Sequence, residues 1–124
     1  MEPNTVQIGG DHYKGDYQHW DMVCDTNLHY LLACATKYVV RYEHKNGVED
    51  LRKAIHFISK AKDKGINPHM PMGPVVRLVS DLPDSSKTII YNICLGQHYL
   101  AIGMLSQLIS EIECGATPAY VDQG

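Results

Sequence analysis

Lys37, Arg41 and Lys45 stand four residues apart in the stretch KYVVRYEHKNG. On an α-helix that spacing places the three cations along one stripe, each a turn from the next. An arginine fork grips phosphate oxygens in two-point fashion, and an ammonium group holds them as a point charge. Lys53 and His56 follow on the next helical segment and extend the polar side, so that two neighbouring helices can close a cationic pocket between them. The plainer alternative is a solvated face whose cations pair with Glu43, Glu49 or Asp50, and spacing alone favours it. His56 can equally be a satisfied buried polar group.

Other residue types point to a ligand with a base and phosphates. His12, Tyr13 and Lys14 lie in GGDHYK, where glycines let backbone amides approach an anion closely; an ordinary N-terminal turn has the same composition. The G-x-x-x-x-G-K-[ST] phosphate loop is absent from the sequence. Tyr13, Tyr17, Trp20, Tyr38 and Tyr42 offer faces for stacking, although aromatics in small helical domains more often pack in the core. Trp20 is expected to pack against the central hairpin, with His19 or Tyr17 facing outward. No H-E-x-x-H is present and no two histidines share an i, i+4 spacing on one helix, so no metal site is expected. No pair of E-x-x-E and E-x-x-D motifs for magnesium is present, and no serine or cysteine sits in a nucleophile motif, which leaves catalytic residues unassigned.

The elements that must position these groups read as helices. Residues 17–24 form a short first helix. Asp25, Thr26 and Asn27 can cap a second, from Leu28 to about Glu43, with Leu28, Leu31, Leu32, Ala35 and Val39 as its apolar face. Asn46 is expected to cap a third helix, Val48 to about Lys64, with Glu49 reaching back in a capping box. Leu51, Ala54, Ile55, Ile58 and Ala61 make its buried stripe, and the short turn implies an antiparallel hairpin. Residues 65–84 carry four prolines and read as a connection, with VVRLV as a possible short strand. Residues 85–114 read as one long helix, apolar on most sides, which must be covered by something. The fold class is therefore all-α: one domain over residues 1–124, a helical hairpin plus a long C-terminal helix, oligomerising through helices. A homo-oligomer of even order is expected.

Composition bounds the rest. The 124 residues fit one domain, and a net charge of −3 argues against general nucleic-acid binding, so any anion site is local. Four scattered cysteines without C-x-x-C, no recognisable signal peptide and no apolar run of bilayer length point to a reduced cytoplasmic protein that does not enter the membrane.

With HYK, KYVVRYEHKNG and EDLRKAIHFI in view, residues 11–62 resemble a family of small tailed-phage proteins of unknown function that includes the SaV-like proteins. The matching residues are His12, Tyr13, Lys37, Tyr38, Arg41, Lys45, Asn46, Gly47, Glu49, Asp50, Leu51, Lys53 and Ala54. A similar module occurs in the T7-type phage nucleotide kinase. The resemblance implies an infected bacterial host cell and a nucleotide ligand held by the matching His12, Tyr13, Lys37, Tyr38, Arg41, Lys45 and Lys53; Lys14, Trp20 and His56 join the expected ligand-binding set from the residue types and spacing above.

Three functions follow as expectations. The first is sequestration of a nucleotide or a nucleotide-derived immune signal, without a cofactor. The second is kinase action on nucleoside monophosphates, with magnesium bridging the phosphates and Asp50 or Asp21 orienting the acceptor. The third is a non-enzymatic contact with a host factor. Among single residues, Arg41 is expected to matter most for binding, and its removal to spare the fold.

Overall fold

The computed structural model describes residues 16–115. Six α-helices follow in order: α1 (His19–Thr26), α2 (Tyr30–Arg41), α3 (Val48–Asp63), α4 (Gly73–Val79), α5 (Asp84–Cys94) and α6 (His98–Glu113). A single 3-10 turn, Tyr42–His44, extends α2, and no strand occurs among the described residues. The protein is all-α. His12, Tyr13 and Lys14 lie outside the described residues.

The hairpin of α2 and α3 is the centre of the molecule, with α5 packed on α2 and α6 on α3. Leu32, Ala35 and Val39 of α2 meet Leu51, Ala54, Ile58 and Ala61 of α3, all fully enclosed. These are the apolar positions at helical spacing, and burying them is what holds short helices that water alone would melt. Ile90 and Ile93 of α5 and Ala101 and Leu105 of α6 complete the core. The small α4 bridges α1 and α5.

Two expectations need correction here. The connection at residues 65–84 contains helix α4, not a strand. Pro74 occupies its first turn, where the missing N–H costs nothing, and Val75 and Val79, four apart, are its buried pair. The long helix at residues 85–114 is two helices. It breaks at Leu95-Gly96-Gln97, where Gly96 takes φ +77°, a left-handed conformation suited to glycine. A Cβ there would also come within 3.3 Å of Pro68. The apparent apolarity on all sides arises because α5 and α6 bury different faces: Ile89, Ile90 and Ile93 in one, Ala101, Leu105 and Ile109 in the other. Folded back as a hairpin, this segment covers much of its own surface.

The start of α3 is also built differently from expectation. Gly47, not Asn46, is the N-cap, with φ +57° and no side-chain cap bond. The reach-back comes from Asp50 instead of Glu49: the Asn46 backbone N–H donates to Asp50 Oδ2 at 3.2 Å and the Asn46 side-chain amide to Oδ1 at 3.4 Å. Asn46 is thus a donor to a buried carboxylate. Asn46→Ala should cost about 1 kcal/mol. Asn46→Asp, which would be harmless at a true N-cap, should cost about 2 kcal/mol because it sets two carboxylates together. Equal urea midpoints for the aspartate variant and the wild type would reject this role.

Candidate functional site

Lys37, Tyr38 and Arg41 lie on the last turn and a half of α2, and Lys53 and Phe57 lie on the facing side of α3. The hairpin brings them together. Lys37 Nζ is 5.2 Å, Arg41 Cζ 4.8 Å and Lys53 Nζ 5.5 Å from the centre of the Tyr38 ring. At such distances each cation is attracted by the ring quadrupole. Tyr38 is half-buried and stacks on Phe57, centroids 5.8 Å apart. Phe57 in turn meets Tyr30 edge-on at 6.4 Å and His56 at 6.5 Å. A ladder of aromatic rings therefore runs up the hairpin from the cations to Tyr30, a residue that is 70% exposed.

The three cations are not equivalent. Arg41 forks onto Asp50, Nε to Oδ2 and Nη2 to Oδ1, both at 3.4 Å. The Asp50 side chain is entirely enclosed while that of Arg41 keeps 22% of its surface. Arg41 is thus both a structural partner of the turn and a contributor to the cluster. Lys53 pairs with Glu49 at 3.5 Å, an exposed i,i+4 contact of little strength that a ligand can replace. Lys37 is exposed and has no carboxylate within ion-pair distance among the described residues.

Lys37 also acts on its neighbour. His19 of α1 turns inward, its Nε2 2.7 Å from Thr36 Oγ1. The Thr36 hydroxyl donates to helix carbonyls of Leu32 and Ala33, so its oxygen is free to accept the imidazole N–H. Burial first, and the Lys37 charge second, push the His19 pKa down to about 4. A value depressed below that of the unfolded chain means that the unfolded state binds the proton first. Stability from this group is whole above about pH 6.5 and falls toward pH 4, by up to about 1 kcal/mol per pH unit. Urea unfolding between pH 7 and 5 should show that slope, and His19→Gln should flatten it.

The remaining expected site residues fall elsewhere. Lys45 lies in the turn beyond the 3-10 helix, so the register of four no longer aligns it with Lys37 and Arg41. Trp20 is 53% exposed on α1, and His19 is the inward residue, the reverse of the expected arrangement. Asp50 and Asp21, the two carboxylates considered for orienting an acceptor, are both engaged: Asp50 with Arg41 and Asn46, Asp21 with the Gln18 backbone at the start of α1. Tyr30 and Phe57 were not anticipated. The signal was present, since Tyr30, Cys34 and Tyr38 recur at four-residue spacing on α2.

Residues 8–59 are similar to DUF3310, a protein family of unknown function. The match spans the whole cation and aromatic cluster and stops before α4, α5 and α6. No curated protein and no solved structure matches the chain. Among the described residues, no helix is long and apolar enough to cross a membrane.

Proposed function

We propose that the protein binds a nucleotide, with phosphates on Lys37, Arg41 and Lys53 and the base on Tyr30, and that it serves to sequester a nucleotide or nucleotide-derived immune signal in an infected bacterial cell. The observation that carries this reading is the gathering of three cations within 5.5 Å of one tyrosine ring on a chain whose net charge is −3. Cations so placed repel one another, and a multiply charged anion relieves that repulsion. Two carboxylates, Asp50 and Glu49, offset the cluster only in part.

The aromatic ladder supplies the second half of the reading. Through Phe57, the rings of Tyr30 and Tyr38 lie at most about 12 Å apart. That separation suits a ligand with a flat ring at one end and phosphates at the other. Stacking on an exposed tyrosine is tolerant of base identity and contributes about 1–3 kcal/mol. Holding a ligand in this way requires no general base. Kinase action would require a carboxylate free to orient the acceptor; Asp50 is held by Arg41 and Asn46, Asp21 by the Gln18 backbone and Glu49 by Lys53, which favours binding over transfer.

The test is to purify the protein, denature it and weigh whatever small molecule is released. A nucleotide-mass ion, or saturable calorimetric binding of an added nucleotide, supports the reading. No bound nucleotide and no calorimetric binding at millimolar nucleotide would overturn the reading and return the cluster to a solvated face. Steady formation of diphosphates from ATP, magnesium and nucleoside monophosphates would replace sequestration by kinase activity.

A further inference from the structure

Helix α6 has a second face. Its inward side, His98, Ala101, Leu105 and Ile109, is buried. Its outward side, with the start of α5, forms an open groove of about 570 Å³ lined by Tyr99, Leu100, Gly103, Met104 and Leu108. Tyr99 and Leu100 are 78% and 52% exposed, large apolar surface left in water. Gly103 stands mid-helix, where glycine costs about 1 kcal/mol relative to alanine. A Cβ at Gly103 would meet nothing within 4 Å, so the fold of the single chain does not require glycine there.

The charges at the two ends of this groove differ. At the Tyr99 end stands Lys62, its Nζ 5.0 Å from the Tyr99 ring and 3.5 Å from Asp63, an exposed pair of little strength that leaves the ammonium able to meet a second carboxylate. At the other end stand Glu111 and, because α5 runs back along α6, Asp84, which is paired with Lys87 at 3.8 Å and leaves Glu111 as the uncompensated acid. Glu111 accepts a hydrogen bond from Gln107 at 3.0 Å and has no cationic partner among the described residues. Tyr99, Gly103, Gln107 and Glu111 follow at steps of four and form one outward stripe, centred between Gly103 and Gln107.

We propose that this groove is covered by the same groove of a second copy of the chain, two α6 helices crossing antiparallel about a two-fold axis between Gly103 and Gln107. A surface with one cationic and one acidic end is self-complementary only when the second copy is reversed. The reversal sets each Glu111 against the partner's Tyr99 and Lys62, twice per dimer, and each Gln107 side chain over the partner's bare Gly103. A parallel copy would set acid on acid. The apolar middle, Leu100, Met104 and Leu108, is then closed from water, and the Lys62 and Glu111 pairs fix the register.

Sedimentation equilibrium is the test. The wild type should sediment at twice the 13.9 kDa chain mass. Lys62→Glu and Glu111→Lys should each weaken dimerisation by about ten-fold, and the protein carrying both should recover it, because the ends are exchanged on both copies. Both residues are exposed or half-exposed, so circular dichroism should give unchanged helicity and confirm folded variants. A monomer at the highest soluble concentration would overturn the proposal. So would a dimer indifferent to all three variants, which would place the interface on another face.

Discussion

Replacing Arg41 with alanine should lower the free energy of unfolding by about 3 kcal/mol, and adding Asp50→Asn should recover a good part of that loss. The Asp50 side chain is fully enclosed at the first turn of α3, and the Arg41 fork is the cation that faces it. Removing the cation leaves a buried carboxylate with only the two Asn46 donors. Breaking a buried pair from one side costs about 3–5 kcal/mol, and the low end applies because both contacts are long, at 3.4 Å, and Asn46 remains. Arg41→Lys keeps a charge but loses the fork and should fall between alanine and wild type. Urea unfolding of the four proteins gives the cycle. A loss below about 1 kcal/mol for Arg41→Ala would mean that Asn46 alone satisfies Asp50. The contact with an enclosed Asp50 weighs against the expectation that Arg41 can be removed without harm to the fold: the spacing offered Asp50 as one of three possible partners, and only the packing of α3 on α2 selects it and buries it.

The same limit explains what else the chain disclosed and withheld. The α2–α3 hairpin was legible because Leu32, Ala35 and Val39 and then Leu51, Ala54 and Ile58 keep a helical period, with a glycine turn between them. The division of α5 from α6 was not. Ile89, Ile93, Leu100, Leu105 and Ile109 form an unbroken apolar series, and a single Gly96 does not announce a reversal. Helix α4 was hidden by β-branched Val75, Val76 and Val79, which suit a strand equally well until Val75 and Val79 are seen to be buried together. At the site, Lys37 and Arg41 were legible as a pair one turn apart. Their meeting with Lys53 over Tyr38 depends on how α3 lies across α2, and that is set by core packing rather than by any local motif.

Because Arg41 serves the fold, the two lysines are the cleaner test of the ligand reading. Lys37→Ala together with Lys53→Ala should leave stability nearly unchanged, since Lys37 has no carboxylate partner among the described residues and Lys53 has only the exposed Glu49. Nucleotide affinity should fall by about 100-fold in the double variant, about ten-fold for each charge-assisted phosphate contact. Affinity of the wild type should also weaken as salt screens the phosphates. His19 supplies a reporter that binding measurements alone lack. Lys37 is the second cause of its depressed pKa of about 4, after burial. Removing the Lys37 charge, or neutralising it with a bound phosphate, should move that pKa upward. An imidazole titration followed by NMR should therefore shift in the same direction on Lys37→Ala and on adding nucleotide to the wild type. Unchanged affinity in the folded double variant, or a nucleotide that binds without moving His19, would place the ligand away from Tyr38 and return the cations to the role of a solvated face.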